Sequence, residues 1–267
     1  MRELLPIPTE RQGMIWHFEP GQQVKARMHT HVELEMNLCV GGRATYLVGQ
    51  QRVDVTARRL LWLFPQKEHL LIEQTSDFEM WIAVFRPQLV TRISRSSGDE
   101  ELRSGQSDTP PVRLLKRGCV EFLTKICSEL HGEKETATVA NPGLEFLLRK
   151  ARHEYLNASL LDSLGDVHPA VERAAFTIAR GEKDTDAETF ASQCGLSRAR
   201  LSRLFKAQMG LELSEFRNQK RMEKFHAYYG GGQRCTVLQA ALEAGFGSLA
   251  QFYRVQKSMA IRQRPAE

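Results

Sequence analysis

The stretch "MHTHVELEMN", Met28 to Asn37, sets two histidines one residue apart with two carboxylates close behind. If residues 28 to 40 run as a strand, the two-residue side-chain period puts His29, His31, Glu33, Glu35 and Asn37 on one face. Met28, Val32, Leu34, Met36, Leu38 and Val40 then occupy the other, which is suited to packing on something apolar. The polar face suits the wall of a pocket for a small-molecule effector, or a metal ion. Imidazoles with a carboxylate suit Fe(II), Mn(II), Ni(II) or Zn(II), so ligand type does not choose among these ions. The polar-pocket reading is the plainer of the two, with no cofactor required and a divalent metal as the sharper option.

A second chemistry lies in "FASQCGLSRARLSRLFKAQMG", Phe190 to Gly210. Ala191 is small enough for a helix crossing, Gly195 permits a left-handed turn, and Ser197 suits a helix cap, which together predict a helix-turn-helix. Leu201, Leu204 and Phe205 would anchor its second helix. Arg198, Ala199, Ser202, Arg203 and Lys206 would face outward, where cations reach phosphates or guanine edges and small residues allow close approach to a major groove. About 45 residues later the same grammar returns in "TVLQAALEAGFGSLAQFYRVQKSMA", an internal repeat. There Ala241 takes the crossing position, Gly245 the turn and Ser248 the cap, with Phe246 and Phe252 as anchors. Leu249, Ala250, Tyr253, Arg254 and Lys257 would face outward.

The elements that must position these residues change character along the chain. "ATYLVG", "QRVDVT", "RLLWLFP", "HLLIEQ" and "FEMWIAVF" follow the histidine stretch as short strands separated by Gly and polar turns, which suggests a barrel or sandwich. "SRSSGDEELRSGQSDTPP", residues 94 to 111, has few apolar residues and predicts a flexible linker. Apolar stripes of helical period then predict helices over 111 to 131 and 143 to 161, which would pack on the barrel or on a second copy of the chain. From His168 onward six short helices are expected, over 169 to 179, 186 to 194, 197 to 208, 214 to 229, 236 to 244 and 249 to 259, in an all-helical domain.

Of the 267 residues, 42% are hydrophobic and 26% charged, which excludes wholesale disorder or a fibrous repeat. No apolar run approaches the ~20 residues of a membrane span, and the N-terminus lacks the apolar stretch of a signal peptide, so a cytoplasmic protein without membrane contact is expected. Five scattered cysteines without a CxxC pair suit reduced thiols. The net charge of +5 is uneven: sixteen Lys and Arg stand against ten Asp and Glu from His168 onward. That asymmetry suits a polyanion-binding module joined to a neutral one.

On "GLSRARLSRLFKAQMG", "ALEAGFGSLAQFYR" and the intervening "LSEFRNQKRMEKFHAYY", the last hundred residues resemble the DNA-binding domain of AraC/XylS transcription regulators. "ELEMNLCVGGRATYLV", "RLLWLFPQKEH" and "WIAVFRP" are similar to that family's effector-binding barrel. The resemblance implies an α+β chain: a cupin-like β-barrel over 1–93, a linker over 94–110, a helical connector over 111–165 with possible dimerisation helices, and a double helix-turn-helix domain over 166–267. It implies double-stranded DNA, an effector, a second copy of the chain and RNA polymerase as partners. Two recognition helices would enter successive major grooves about 34 Å apart. Arg198, Arg203 and Arg254 are the expected base-reading residues, and Lys206 and Lys257 the phosphate contacts.

The spacing of His29, His31 and Glu35, with His69 as a fourth ligand, also fits the cupin metal motif, although "PQKEH" is one residue short of that pattern. A metal-dependent cupin oxygenase or isomerase is the alternative function, and it leaves the helical repeat unexplained. The chain departs from the regulator pattern at its end, where Gln256 replaces an aromatic, Ile261 a Gly, and Pro265 falls about one place late. Phe225, Tyr228 and Tyr229 replace small and aliphatic residues in the linking helix. These departures predict a second unit that is less firmly packed and contributes mainly phosphate contacts.

Overall fold

The computed structural model describes residues 4–22, 29–104, 111–132, 136–158, 165–181, 186–229 and 235–262. They divide into two units, one ending at Asp166 and the other beginning at Val167. Among the described residues no helix is long and apolar enough to cross a membrane.

The first unit is built from two antiparallel sheets. Its strands are β1 (Gly13–Phe18), β2 (Leu34–Gly41), β3 (Arg43–Val48), β4 (Gln51–Thr56), β5 (Arg59–Leu63), β6 (His69–Gln74), β7 (Glu79–Phe85), β8 (Val112–Leu114) and β9 (Gly165–Asp166). One sheet runs β1-β7-β2-β5-β8 and the other β6-β3-β4-β9. In β2, Leu34, Met36 and Leu38 are fully buried in a core shared with four helices, α1 (Pro87–Ser97), α2 (Glu101–Ser104), α3 (Arg117–Leu130) and α4 (Ala137–Leu156). The alternation read from the sequence therefore governs β2, whose other face carries Glu35 and Asn37.

Residues 29 to 33 depart from the expected strand. β2 begins only at Leu34, and the chain bends at Val32 and Glu33. His29 instead forms an isolated antiparallel bridge with His69, with both backbone N–H···O distances at 3.4 Å. β1, β8 and β9 fall outside the predicted strands.

The tight link between β2 and β3 turns on Gly42, at φ 64°. A Cβ there would stand 2.5 Å from the backbone N and Cα of Phe78. Gly42→Ala is expected to cost about 3 kcal/mol, because a strained φ and a backbone clash add. Gly21 has a similar φ of 81° but nothing within 4 Å of that position, so Gly21→Ala should cost only about 1 kcal/mol. Urea unfolding midpoints of the two variants measure the difference.

The expected linker over 94–110 is largely structured where it is described. Residues 94–97 complete α1, Gly98 caps it at φ 70°, and Glu101–Ser104 form α2; residues 105–110 lie outside the described residues. The cause is tertiary. Leu102 is fully buried, Ser94 Oγ donates to the Asp99 carbonyl at 2.7 Å, and the acidic side chains of Asp99 and Glu101 meet a buried Arg152 from α4. The expected helices of the connector also shift. The first begins at Arg117, after β8; the second begins at Ala137 with Pro142 inside it and ends at Leu156. Both contribute to the core of the first unit rather than standing apart from it.

The second unit is all-helical: α5 (Pro169–Arg180), α6 (Ala187–Gln193), α7 (Arg198–Met209), α8 (Leu213–Tyr229), α9 (Val237–Glu243) and α10 (Leu249–Arg262). These match the six expected helices to within a few residues at each end. Side chains from Ala260 onward, which include the expected departures at Ile261 and Pro265, lie outside the described residues.

Candidate functional site

Two helix pairs and one histidine cluster hold the residues singled out above. In the first pair, Asp186 caps the start of α6, its carboxylate accepting the backbone N–H groups of Glu188 and Thr189. Cys194 caps the end of α6, and Gly195 turns the chain at φ 84°, a conformation that favours glycine. The Gly195 N–H donates to the Ser192 carbonyl at 2.8 Å and that of Leu196 to Ala191 at 3.0 Å. The second pair repeats this geometry: Gly245 has φ 94°, its N–H donates to Leu242 at 2.9 Å, and that of Phe246 donates to Ala241 at 3.0 Å. Ala191 and Ala241 are both buried, as the crossing positions require.

The caps differ between the pairs. Ser248 accepts the N–H of Gln251, whose own side chain accepts the N–H of Gly247. Ser197 occupies the N-cap position of α7 but makes no side-chain cap bond, contrary to expectation.

Helix α8 joins the pairs through its buried face. Phe216 lies 5.5 Å from Phe205 of α7, ring centre to ring centre, and Phe225 lies 4.3 Å from Phe252 of α10. Phe225, Phe246 and Phe252 are buried in one core with Met222, Ala240, Ala241, Ala244 and Val255. The second pair is therefore packed on a shared aromatic core to which Phe225 contributes, against the expectation of a looser one from that residue; the part of the expectation that rests on Ile261 and Pro265 lies outside the described residues. Gln256, where an aromatic was expected, is exposed.

With Leu201 and Phe205 buried, α7 exposes Arg198, Ala199, Arg203 and Lys206 and half-exposes Ser202. Leu204 is half-buried rather than a full anchor. α10 exposes Ala250, Tyr253, Arg254 and Lys257. Leu249 departs from expectation, since it is half-buried against the second core. Arg200 was missed by the sequence reading; it is exposed on α7, off the stripe defined by Arg198, Ser202 and Lys206. Carboxylates already engage two of the cations: Arg198 lies 3.8 Å from Glu188, and Lys206 lies 2.6 Å from Glu212. Arg203 and Arg254 stand exposed at corresponding places on α7 and α10.

In the first unit, His29, His31, Glu35 and His69 converge so that one ligand atom from each lies within 4.8 Å of the others. The cluster bridges the two sheets, with Glu35 on β2 and His69 on β6. His31, Glu35 and His69 are buried, and His29 is half-buried. His31 Nδ1–H donates to the Glu33 carbonyl and His69 Nδ1–H to the Lys67 carbonyl, each at 3.0 Å. Both rings are thereby turned with Nε2 toward the cluster: His31 Nε2 is 3.0 Å from a Glu35 oxygen, and His69 Nε2 is 3.0 Å from His29 Nε2. Asn37 Nδ2 donates to the other Glu35 oxygen at 2.8 Å, while its own buried Oδ1 has no hydrogen-bond partner among the described residues. The Glu33 side chain stays at the edge, 3.9 Å from His31 Nδ1.

Burial and pairing divide the charge within this cluster. Burial opposes ionisation of Glu35, but the hydrogen bond from His31, the nearby His69 and the Asn37 amide outweigh it and hold the carboxyl at about 2. Burial likewise opposes the charged form of His31, yet its bond to Glu35 raises it above the ordinary imidazole value. Burial pushes His69 down to about 4, with the neighbouring His29 and His31 adding to the shift. Pairing thus favours the charged forms of His31 and Glu35, while burial favours the neutral form of His69. Burial also pushes the Cys39 and Cys127 thiols up to about 12, which leaves them unreactive.

Comparison with known proteins follows this division. Residues 13–139 match the AraC-like ligand binding domain, and residues 190–260, which span most of both helix pairs, match the helix-turn-helix domain. The chain belongs to the AraC family of transcription regulators. As an AraC-family regulator it joins a DNA-binding domain to a ligand-binding domain, and neither match supports the cupin-enzyme alternative. Among solved structures the regulator is similar to ToxT from Vibrio cholerae, at 13% identity over 92% of this chain and 93% of that one, with a TM-score of 0.34. It is similar to the AraC-like transcriptional activator CuxR at 14% identity, over 80% and 74% of the two chains, with a TM-score of 0.34. A cupin 2 conserved barrel protein from Salinispora arenicola is 25% identical over 35% of this chain and 80% of that one, with a TM-score of 0.25. A search of curated proteins by sequence returned no match. The functional assignment rests on the two family matches.

Proposed function

We propose that this regulator places α7 and α10 in successive major grooves of its operator, and that the barrel of the first unit, in which His29, His31, Glu33, Glu35 and Asn37 gather, receives the effector. The observation that carries the DNA reading is the repeated turn geometry at Gly195 and Gly245, each followed by a helix with an exposed cationic face. Arg203 and Arg254 read bases, and Arg198 joins them once released from Glu188. Ala199, Ser202 and Tyr253 line the approach. Lys206 and Lys257 contact phosphates, with Lys206 exchanging Glu212 for the DNA backbone. Leu249 supports α10 from within rather than touching DNA.

The chain works in the cytoplasm as a homodimer without catalytic activity of its own, and RNA polymerase is its partner at the promoter. The pairing reading draws on the outer face of α3 and α4, where Phe122, Val139 and Phe146 are exposed and the two phenyl rings lie 6.3 Å apart.

A gel-shift titration on the DNA upstream of the regulator's own gene tests the DNA reading. Arg203→Ala is expected to weaken binding by about 1 to 3 kcal/mol and to relax preference at one base position. Lys257→Ala should weaken all sequences alike and lower the salt slope by about one. Unchanged affinity in Arg203→Ala would reject the base-reading assignment.

A further inference from the structure

The histidine cluster contains more organisation than a pocket wall needs. Its four groups come from both sheets and from the bend before β2, yet their ligand atoms share one small volume. A pocket wall presents polar atoms to a cavity, whereas these atoms point at one another. Two rings are fixed by main-chain carbonyls that only accept, so Nδ1 carries the proton in each and Nε2 is left to face inward. The carboxylate is fixed in turn by Asn37. An outer layer of this kind, orienting imidazoles and a carboxylate on a common point, is what metal ligands require.

We propose that His29, His31, Glu35 and His69 hold one first-row divalent transition ion, and that occupancy of this site is part of what the barrel senses. The second clause rests on the reading of the barrel as the ligand-binding domain; the first does not. Three imidazole nitrogens and one carboxylate oxygen suit Fe(II), Mn(II), Ni(II) or Zn(II) and disfavour the all-oxygen preferences of Ca(II) and Mg(II). Ligand atoms about 2.1 Å from one ion stand roughly 3 to 4.2 Å apart, so from its 4.8 Å span the cluster closes by roughly 0.6 Å with the widest pair opposite across the ion, and by about 1.4 Å in a tetrahedral site. The ion replaces the protons now shared between His31 and Glu35 and between His29 and His69. Asn37 Oδ1, buried with no hydrogen-bond partner among the described residues, is then the acceptor for a donor group on a further ligand of the ion.

The test uses the full-length protein, stripped with a chelator, dialysed, and titrated with Co(II) while its visible d–d bands are followed, then competed with Zn(II). The expected result is one saturable Co(II) per chain, displaced by Zn(II), with affinity reduced more than ~100-fold in His31→Ala and in His69→Ala, and by about 10- to 100-fold in Asn37→Ala. His29→Gln, at a half-buried position, is the variant least disturbing to the fold, and it too should lose Co(II) binding. Absence of saturable binding to the folded wild type would overturn the proposal, as would binding that persists in both His29→Gln and the His31→Ala/His69→Ala pair. Gel shifts on the same samples, with and without metal, separate the two readings. Salt-sensitive DNA binding without any metal site sinks this inference alone, whereas a metal site with no DNA binding sinks the operator reading alone.

Discussion

Phe225→Ala is expected to destabilise the second unit by about 3 to 5 kcal/mol, the usual cost of emptying a large aromatic site in a core. The ring is 4% exposed, lies 4.3 Å from Phe252 and stacks on Tyr229 at 5.4 Å. With Met222 it packs α8 into the core shared with α10, so its removal should cost DNA affinity as well as stability: α10 would no longer be presented at a fixed distance from α7. Phe225→Leu preserves most of the volume and should cost less than about 1.5 kcal/mol. Urea unfolding followed by far-UV circular dichroism gives the stability, and a gel shift on the same preparations gives the affinity. Loss of stability without loss of affinity would mean that the second pair is dispensable for binding.

Removing the Arg152 guanidinium should have an effect nearly as large on the first unit. Arg152 is 5% exposed; its Nε is 2.6 Å and its Nη2 3.0 Å from the two Asp99 oxygens, and Nη2 also meets Glu101. Arg152→Ala leaves two acidic groups gathered without their cation, at an expected cost of about 3 kcal/mol. That is the low end for a buried pair, because Asp99 and Glu101 keep some solvent contact. An uncharged replacement of the whole triad, Arg152→Met with Asp99→Asn and Glu101→Gln, should restore more than half of the loss. Equal unfolding midpoints for the single and triple variants would show that the charges are not the cause.

Arg152 also explains why one part of the fold was illegible in the sequence. Residues 94 to 104 are polar and rich in Ser and charged groups, which locally reads as linker, but their acidic groups close on an arginine some fifty residues downstream. Local composition carries no trace of that partner. β1 escaped for a different reason: "GMIWHF" has no clear alternation, because it packs as an edge strand against β7 with its first three residues buried. The strands from β3 to β7 were legible because each is a short apolar or alternating run bounded by turn residues.

The site divides in the same way. Glu35 and Asn37 follow from strand periodicity, but His29 and His31 precede β2 and reach the cluster through the bend at Val32–Glu33 and the bridge to His69. In the helix pairs the turn glycines and buried alanines were readable from residue size alone. The placement of Leu249 and the missing Ser197 cap depended on how each helix is rotated against its core, which the sequence pattern does not resolve.

The central claim is that two DNA-reading units act together at a spacing set by α8. It is tested most directly by measuring affinity for the regulator's operator with five or ten base pairs inserted between the two contacted segments. Five base pairs turn the second segment to the opposite face of the duplex, and affinity should fall at least ~10-fold, toward that of an Arg254→Ala variant on the unmodified site. Ten base pairs restore the face but not the distance, so affinity should stay low. Equal affinity for all three DNAs would contradict the claim and leave α7 as the sole reader.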